Sequence, residues 1–314
     1  MSKFNLTGRL IQFFFLFIVL TLSACSSVKY NLYEMAIGHE YNKANLTLKT
    51  LDVNGKKIVL LESEKTDQKP TLVLLHGFTA NKENWVRFAQ HMTDSYHVVA
   101  IDLPGHGESF KNFSMRYDIN DQVRYLNEIL IQMNIRYFYI AGNSMGGAIS
   151  SMYAATYPDQ IRKVVLFNPG GIYDYESELQ ERLKEGTNPL IAQTNDDFKK
   201  IMNFVLEKKP FLLWPISSIF AEKAVENKAI NTKIFAEIIG NHTYIFKDEI
   251  RKITAPTLIL WGRKDRVIHV DNASLFEALI PDSRKMIIED IGHAPMIEIP
   301  KETAEICHNF FSAM

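Results

Sequence analysis

Residues 136–157, RYFYIAGNSMGGAISSMYAATY, pass from a strand-like stretch into a helix-like one through Gly-Asn-Ser-Met-Gly-Gly at 142–147. A serine with glycine two residues before and two after it marks a turn so tight that neighbouring backbone leaves no room for side chains. Such a bend demands a buried strand with a helix packed back onto it. It also lifts the Ser144 hydroxyl clear of the sheet edge, where the first amides of the following helix converge. One short segment thus asks for an α/β layer and supplies a candidate nucleophile.

The rest of the chain keeps the same rhythm. LTLKTLDV (46–53) and KKIVLLES (56–63) flank Asn54-Gly55, a hairpin signal. Then come strand-like runs at 71–76, 96–102, 136–141, 161–168, 256–262 and 283–290, separated by helical stretches. Continuous apolar runs such as TLVLLH suit strands covered on both faces, and right-handed crossovers between them give a mostly parallel, doubly wound sheet. Between about 170 and 250 the alternation stops, and some 80 residues read as helix alone. An all-helical block between two strands of one sheet is an insertion, expected as a cap over the strand ends. Within it PFLLWPISSIF (210–220) is unusually apolar for a loop, and Phe211, Leu212, Leu213 and Trp214 are expected either to pack the cap onto the core or to line an acyl channel or face a membrane.

A serine hydroxyl needs a base, and the base needs an acid to orient it. His293 lies in IGHAPMIEIP, just past the last strand, at the sheet edge where Ser144 emerges. Asp265 follows PTLILWG at the same edge, 28 residues earlier, which leaves room for one helix and one strand. After the preceding strand the chain has Asn168-Pro169, without charge, which favours Asp265 as the acid. Backbone amides for an oxyanion are expected from Met145 and from Phe78, in the loop after TLVLLH. His76 beside that loop reads as structural, as does His106 in DLPGHGES (102–109). No Cys/His/carboxylate cluster has metal-ligand spacing and no dinucleotide fingerprint follows a strand, so the chemistry reads as cofactor-free.

The N-terminus adds an address. Lys3 and Arg9 precede LIQFFFLFIVLTL (10–22), too short for a comfortable span, and then Leu22-Ser23-Ala24-Cys25. That order resembles a bacterial lipoprotein signal. It implies removal of residues 1–24, lipid on Cys25, and a tether over 25–44 before the domain at 45–314. Ser26 stands where an aspartate would favour inner-membrane retention, which points to the outer membrane. Cys307, the other of two cysteines, then has no partner and reads as a small buried side chain. A net charge of −1 offers no basic excess to attract nucleic acid.

HGF at 76–78, DLPGHGES at 102–109, GNSMGG at 142–147, WGRKD at 261–265 and IGH at 291–293 together resemble the α/β-hydrolase family over residues 45–314. The order Ser144, Asp265, His293 is that family's order of nucleophile, acid and base. HGFTANKENW with GNSMGG and a helical insertion is similar to the membrane-anchored bacterial lipases of family V type. The resemblance implies a serine ester hydrolase acting on acylglycerols or other fatty-acyl esters through an acyl-enzyme. NPGG at 168–171 also resembles carbon–carbon bond hydrolases of meta-cleavage type, although Phe78-Thr79-Ala80-Asn81 departs from their glycine- and proline-rich turn. A non-catalytic envelope lipoprotein on the same fold is the alternative from another class.

Overall fold

The computed structural model describes residues 27–212, 214–239 and 243–313. The leader 1–24, the candidate lipidation site Cys25, Leu213 and His242 lie outside the described residues.

Among the described residues eight strands form one sheet: β1 (Leu46–Val53), β2 (Lys56–Ser63), β3 (Thr71–Leu75), β4 (His97–Ile101), β5 (Phe138–Asn143), β6 (Ile161–Phe167), β7 (Thr257–Gly262) and β8 (Ser283–Ile288). Their spatial order is β1-β2-β4-β3-β5-β6-β7-β8. β2 runs antiparallel to β1 and β4, and every later pairing is parallel. The β1–β2 turn places Asn54 at φ 54° and Gly55 at φ 76°, the left-handed pair that a two-residue hairpin needs.

Both faces of the sheet are buried along its central strands, which is why those strands read as unbroken apolar runs, while the edge strands β1 and β8 are largely exposed. Along β3, Val73 and Leu75 join one core while Leu72 and Leu74 join the other. The first core takes helices α3 (Ile119–Gln132), α4 (Met145–Thr156) and α10 (Asn272–Leu279). The second takes the 3-10 turn Lys82–Trp85, α2 (Val86–Ala89), α11 (Pro295–Glu298) and α12 (Pro300–Ser312). Cys307 on α12 is fully buried there, and burial pushes its thiol pKa up. Among the described residues five helices lie between β6 and β7: α5 (Glu178–Lys184), α6 (Asn195–Val205), α7 (Ile216–Glu226), α8 (Lys228–Ile238) and α9 (Thr243–Ile250).

The segment 25–44, expected as a tether, differs from that expectation. Residues 27–43 form a helix, α1, that packs Tyr33, Ile37 and Tyr41 into the second core. These residues are four apart and share one helical face, so burying them holds the helix down. Polar bonds fasten it further. Tyr41 donates to Glu83 at 2.5 Å, Lys29 pairs with Glu222 on α7, and Lys223 of α7 sits 5.0 Å over the Tyr33 ring.

Candidate active site

Ser144 sits at the bend between β5 and α4 with φ 54° and ψ −117°, a conformation that costs a non-glycine residue about 1–3 kcal/mol. Its surroundings hold it there. The Ser144 amide donates to Phe167 O at 3.0 Å, and its carbonyl accepts from Ala148 N at 3.0 Å and Gly170 N at 2.9 Å. The two flanking glycines are required by contact rather than by φ. A Cβ on Gly142 would fall 2.1 Å from Gly146 O, and one on Gly146 would fall 2.2 Å from Leu75 O.

His293 follows β8 and is 4% exposed. Its Nδ1 donates to Asp265 Oδ2 at 2.8 Å. Asp265, just after β7, accepts from five donors. Oδ1 takes the amides of Val267 at 2.8 Å and Ile268 at 3.0 Å. Oδ2 takes Asn168 Nδ2 at 2.7 Å, Trp261 Nε1 at 3.1 Å and the His293 ring. A buried carboxylate so thoroughly bonded is fixed in orientation, and it holds the imidazole with Nδ1 protonated and Nε2 free to take a proton. Ser144 and His293 line the same cavity of about 260 Å³. Among the described residues no hydrogen bond joins the Ser144 hydroxyl to the ring; contacts of this kind tighten when substrate enters.

The loop after β3 runs directly over the serine, since a Cβ on Gly77 would lie 3.2 Å from Ser144 Cβ. That places Phe78 beside the elbow. Among the described residues neither the Phe78 nor the Met145 amide donates to a protein acceptor. Both are therefore open to an oxyanion, and Met145 stands at the first turn of α4, where the helix field favours negative charge. His76 braces the loop: Nδ1 donates to Gly77 O at 2.8 Å, and Nε2 accepts from Leu103 N at 3.0 Å. Burial lowers its pKa to about 4 and keeps the ring neutral. His106, buried against it, is pushed well below the ordinary value mainly by burial.

Three bracing residues escaped the reading of the sequence. Asn143 Nδ2 donates to Phe167 O at 3.1 Å and to His293 O at 2.9 Å, tying the elbow to the histidine loop. Asn168, noted only for lacking charge, supplies the shortest hydrogen bond to Asp265. Glu298 accepts from Gly292 N at 2.9 Å and, across on the cap, from Glu207 N at 3.0 Å and Lys208 N at 2.7 Å. Each had one signal, a lone polar side chain inside an otherwise apolar or glycine-bounded run.

Apolar side chains from the cap, among them Leu190, Phe198, Met202, Leu212 and Phe220, form much of the cavity wall. α1 adds Ile37 and Glu40. Phe211 and Trp214 point the other way, 78% and 61% exposed, so of the apolar cap segment Leu212 alone among its described large side chains between 211 and 214 meets the cavity. Among the described residues no group of three or more His, Cys, Asp or Glu side chains is placed to hold a metal ion.

A family model described as the alpha/beta hydrolase fold matches residues 70–300. The chain belongs to the α/β-hydrolase family. This hydrolase is 34% identical over 291 residues to Lipase 1 of Psychrobacter immobilis, with 90% of each chain covered. It is 33% identical over 287 residues to Lipase 3 of Moraxella sp. (strain TA144), again with 90% of each covered. Among solved structures it resembles a membrane phospholipase A described as a bacterial virulence factor. There the identity is 36%, the TM-score 0.85, and the match covers 95% of this chain and 97% of that one.

Proposed function

We propose that this α/β hydrolase is a serine lipase that cleaves acylglycerols or related fatty-acyl esters through an acyl-enzyme. The observation that carries the reading is the buried Asp265–His293 pair and the strained Ser144 elbow opening together onto a cavity walled by apolar cap residues. Ser144 Oγ attacks the ester carbonyl and gives its proton to His293 Nε2. The carbonyl oxygen becomes an oxyanion held by the Phe78 and Met145 amides. The tetrahedral intermediate collapses, its C–O bond breaks, and the departing alkoxide takes the proton from His293. Water, deprotonated by the same ring, then attacks the acyl-enzyme, and the carboxylic acid leaves as Ser144 regains its proton.

The similarity to bacterial lipases and to a membrane phospholipase supports an envelope setting. Among the described residues no helix is long and apolar enough to cross a membrane. In our reading attachment is through lipid on Cys25, after removal of residues 1–24, with the outer membrane as destination. The decisive experiment measures kcat/KM for acyl esters of increasing chain length, a monoacylglycerol and a phospholipid, beside a vinylogous diketone. Longer acyl chains should be preferred by a few-fold per methylene, because burying each contributes about 0.8 kcal/mol. Faster turnover of the diketone than of any ester would overturn the reading.

A further inference from the structure

Phe211 and Trp214 are among the most exposed large apolar side chains of the described protein, at 78% and 61%. They stand in the cap loop between α6 and α7, preceded by exposed Lys208 and Lys209. Their neighbours Pro210 and Leu212 line the cavity. The loop therefore turns some side chains to the substrate cavity and others to solvent. Two aromatic rings presented beside a cavity rim, with two cations next to them, match the composition of an anionic membrane interface.

α1 carries a second apolar surface. On α1, Val28, Leu32 and Met35 are 55%, 40% and 72% exposed and fall on one face at helical spacing. Tyr33, Ile37 and Tyr41 occupy the opposite face and are buried. A helix apolar on both sides has one face still to cover. Arg87 links the C-terminal end of this helix to the cap loop: it donates to Phe211 O at 3.4 Å and lies 3.9 Å from the Glu40 carboxylate. The chain supplies the occupant. The described part of α1 opens at residue 27, two residues after Cys25 and five after the apolar run at 10–22. Two residues span at most about 7 Å, so any lipid on Cys25 holds residue 27 of α1 near the bilayer surface.

We propose that the Phe211–Trp214 side of the cap loop and the Val28–Leu32–Met35 face of α1 form the surface that rests on an anionic lipid bilayer. Substrate would then pass from the lipid to the cavity beside Leu212 without crossing water. This rests on the proposed attachment at Cys25, and the test separates the two.

The full chain is reconstituted with vesicles of equal parts phosphatidylcholine and phosphatidylglycerol, carrying either plain or brominated acyl chains. Of the three tryptophans, Trp85 and Trp261 are fully buried, so Trp214 reports on the surface. Bromine should quench wild-type emission, and Trp214→Phe should remove the quenchable part. Phe211→Asp with Trp214→Asp should lower hydrolysis of a vesicle-borne acylglycerol at least 10-fold while a soluble butanoate ester is turned over as before. Replacing phosphatidylglycerol by phosphatidylcholine should weaken both effects. Protein that floats with the vesicles while its Trp214 emission is untouched by bromine overturns this surface and leaves the anchor standing. Protein that does not float overturns both. Trp214 shielded without lipid, in a species that sediments as a dimer, overturns the bilayer in favour of a second copy.

Discussion

At the scale of single residues the proposed site divides into groups that would react and groups that aim them. Ser144→Ala should abolish ester turnover and covalent labelling by a fluorophosphonate with the fold intact, a loss of roughly four to six orders of magnitude in rate. Labelling that survives the substitution moves the nucleophile elsewhere. Asp265→Asn replaces an acceptor on the His293 ring with an amide that can present a donor, so the ring is held in the wrong tautomer. The expected loss is on the order of 10⁴ in kcat, and near-wild-type activity would reassign the acid. Asn168→Ala removes one of five donors from Asp265 and leaves the carboxylate in place. A hydrogen bond to a charged acceptor is worth about 1.5–3 kcal/mol, so kcat should fall by about 10- to 100-fold, measured beside an unchanged KM. The candidate reacting groups could be picked out of the sequence because their chemistry allows few residue types and their loops close strands. Asn168 was not, because an uncharged side chain at a strand end announces a missing acid as readily as a donor to a distant one. The distance that separates these cases, 97 residues in sequence and 2.7 Å in space, exists only in the fold.

Among the elements, the strands were legible because a doubly covered sheet writes itself as continuous apolar runs. The elbow was legible because two backbones in contact admit only glycine. α1 was overlooked. NLYEMAIGHEYNKAN reads as polar, yet Tyr33, Ile37 and Tyr41 repeat every four residues, the one signal that separates an amphipathic helix from a tether. Its importance can be measured by truncation. A chain beginning at Lys29 keeps the buried face and should stay folded and hydrolyse short esters. One beginning at Ala44 loses three buried side chains worth about 2 kcal/mol each, comparable to the whole stability of many domains. It also loses Ile37 from the cavity wall. Thermal unfolding of the two proteins checks this; equal Tm values would mean that α1 rests on the domain without stabilising it. The same contacts explain why the cap need not be held by its own interface alone, since Tyr33 packs edge-on to Phe220 of α7 with ring centroids 6.2 Å apart.

For the whole molecule, the loops that brace the site make stability depend on acidity. His76 is fully buried, and burial, aided by the Lys82 charge, brings its pKa from the ordinary 6.5 down to about 4 against an opposing bond to Gly77 O. His106, 2% exposed, is shifted in the same direction by burial, by His76 and by Lys111. Its Nδ1 lies 3.3 Å from Pro104 O, and its Nε2 has no partner among the described residues, so a proton there would bury an unpaired N–H as well as a charge. The unfolded chain accepts these protons as pH falls through 6.5, while the folded protein refuses them until much lower. Stability is then whole above about pH 6.5 and declines as the pH falls toward 4. His76 alone, at about 1.4 kcal/mol for each unit of pKa shift, removes about 2 kcal/mol by pH 5, which lowers Tm on the order of 5 °C. Glu298, raised mainly by burial, works against this near the ordinary carboxyl range, because the folded state there holds its proton longer than the unfolded chain. Glu62 is lowered to about 2 because bonds from His97 and Lys49 outweigh its burial, so its loss falls between about pH 4.5 and 2, below the window of the histidines. Unfolding scans from pH 7.5 to 5 should therefore show a falling Tm in wild type and a shallower fall in His106→Phe, whose ring keeps the packing and cannot titrate. A Tm flat across that range would mean that the two imidazoles gain protons as readily in the fold as outside it. The bracing of the oxyanion loop by neutral rings would then need another account.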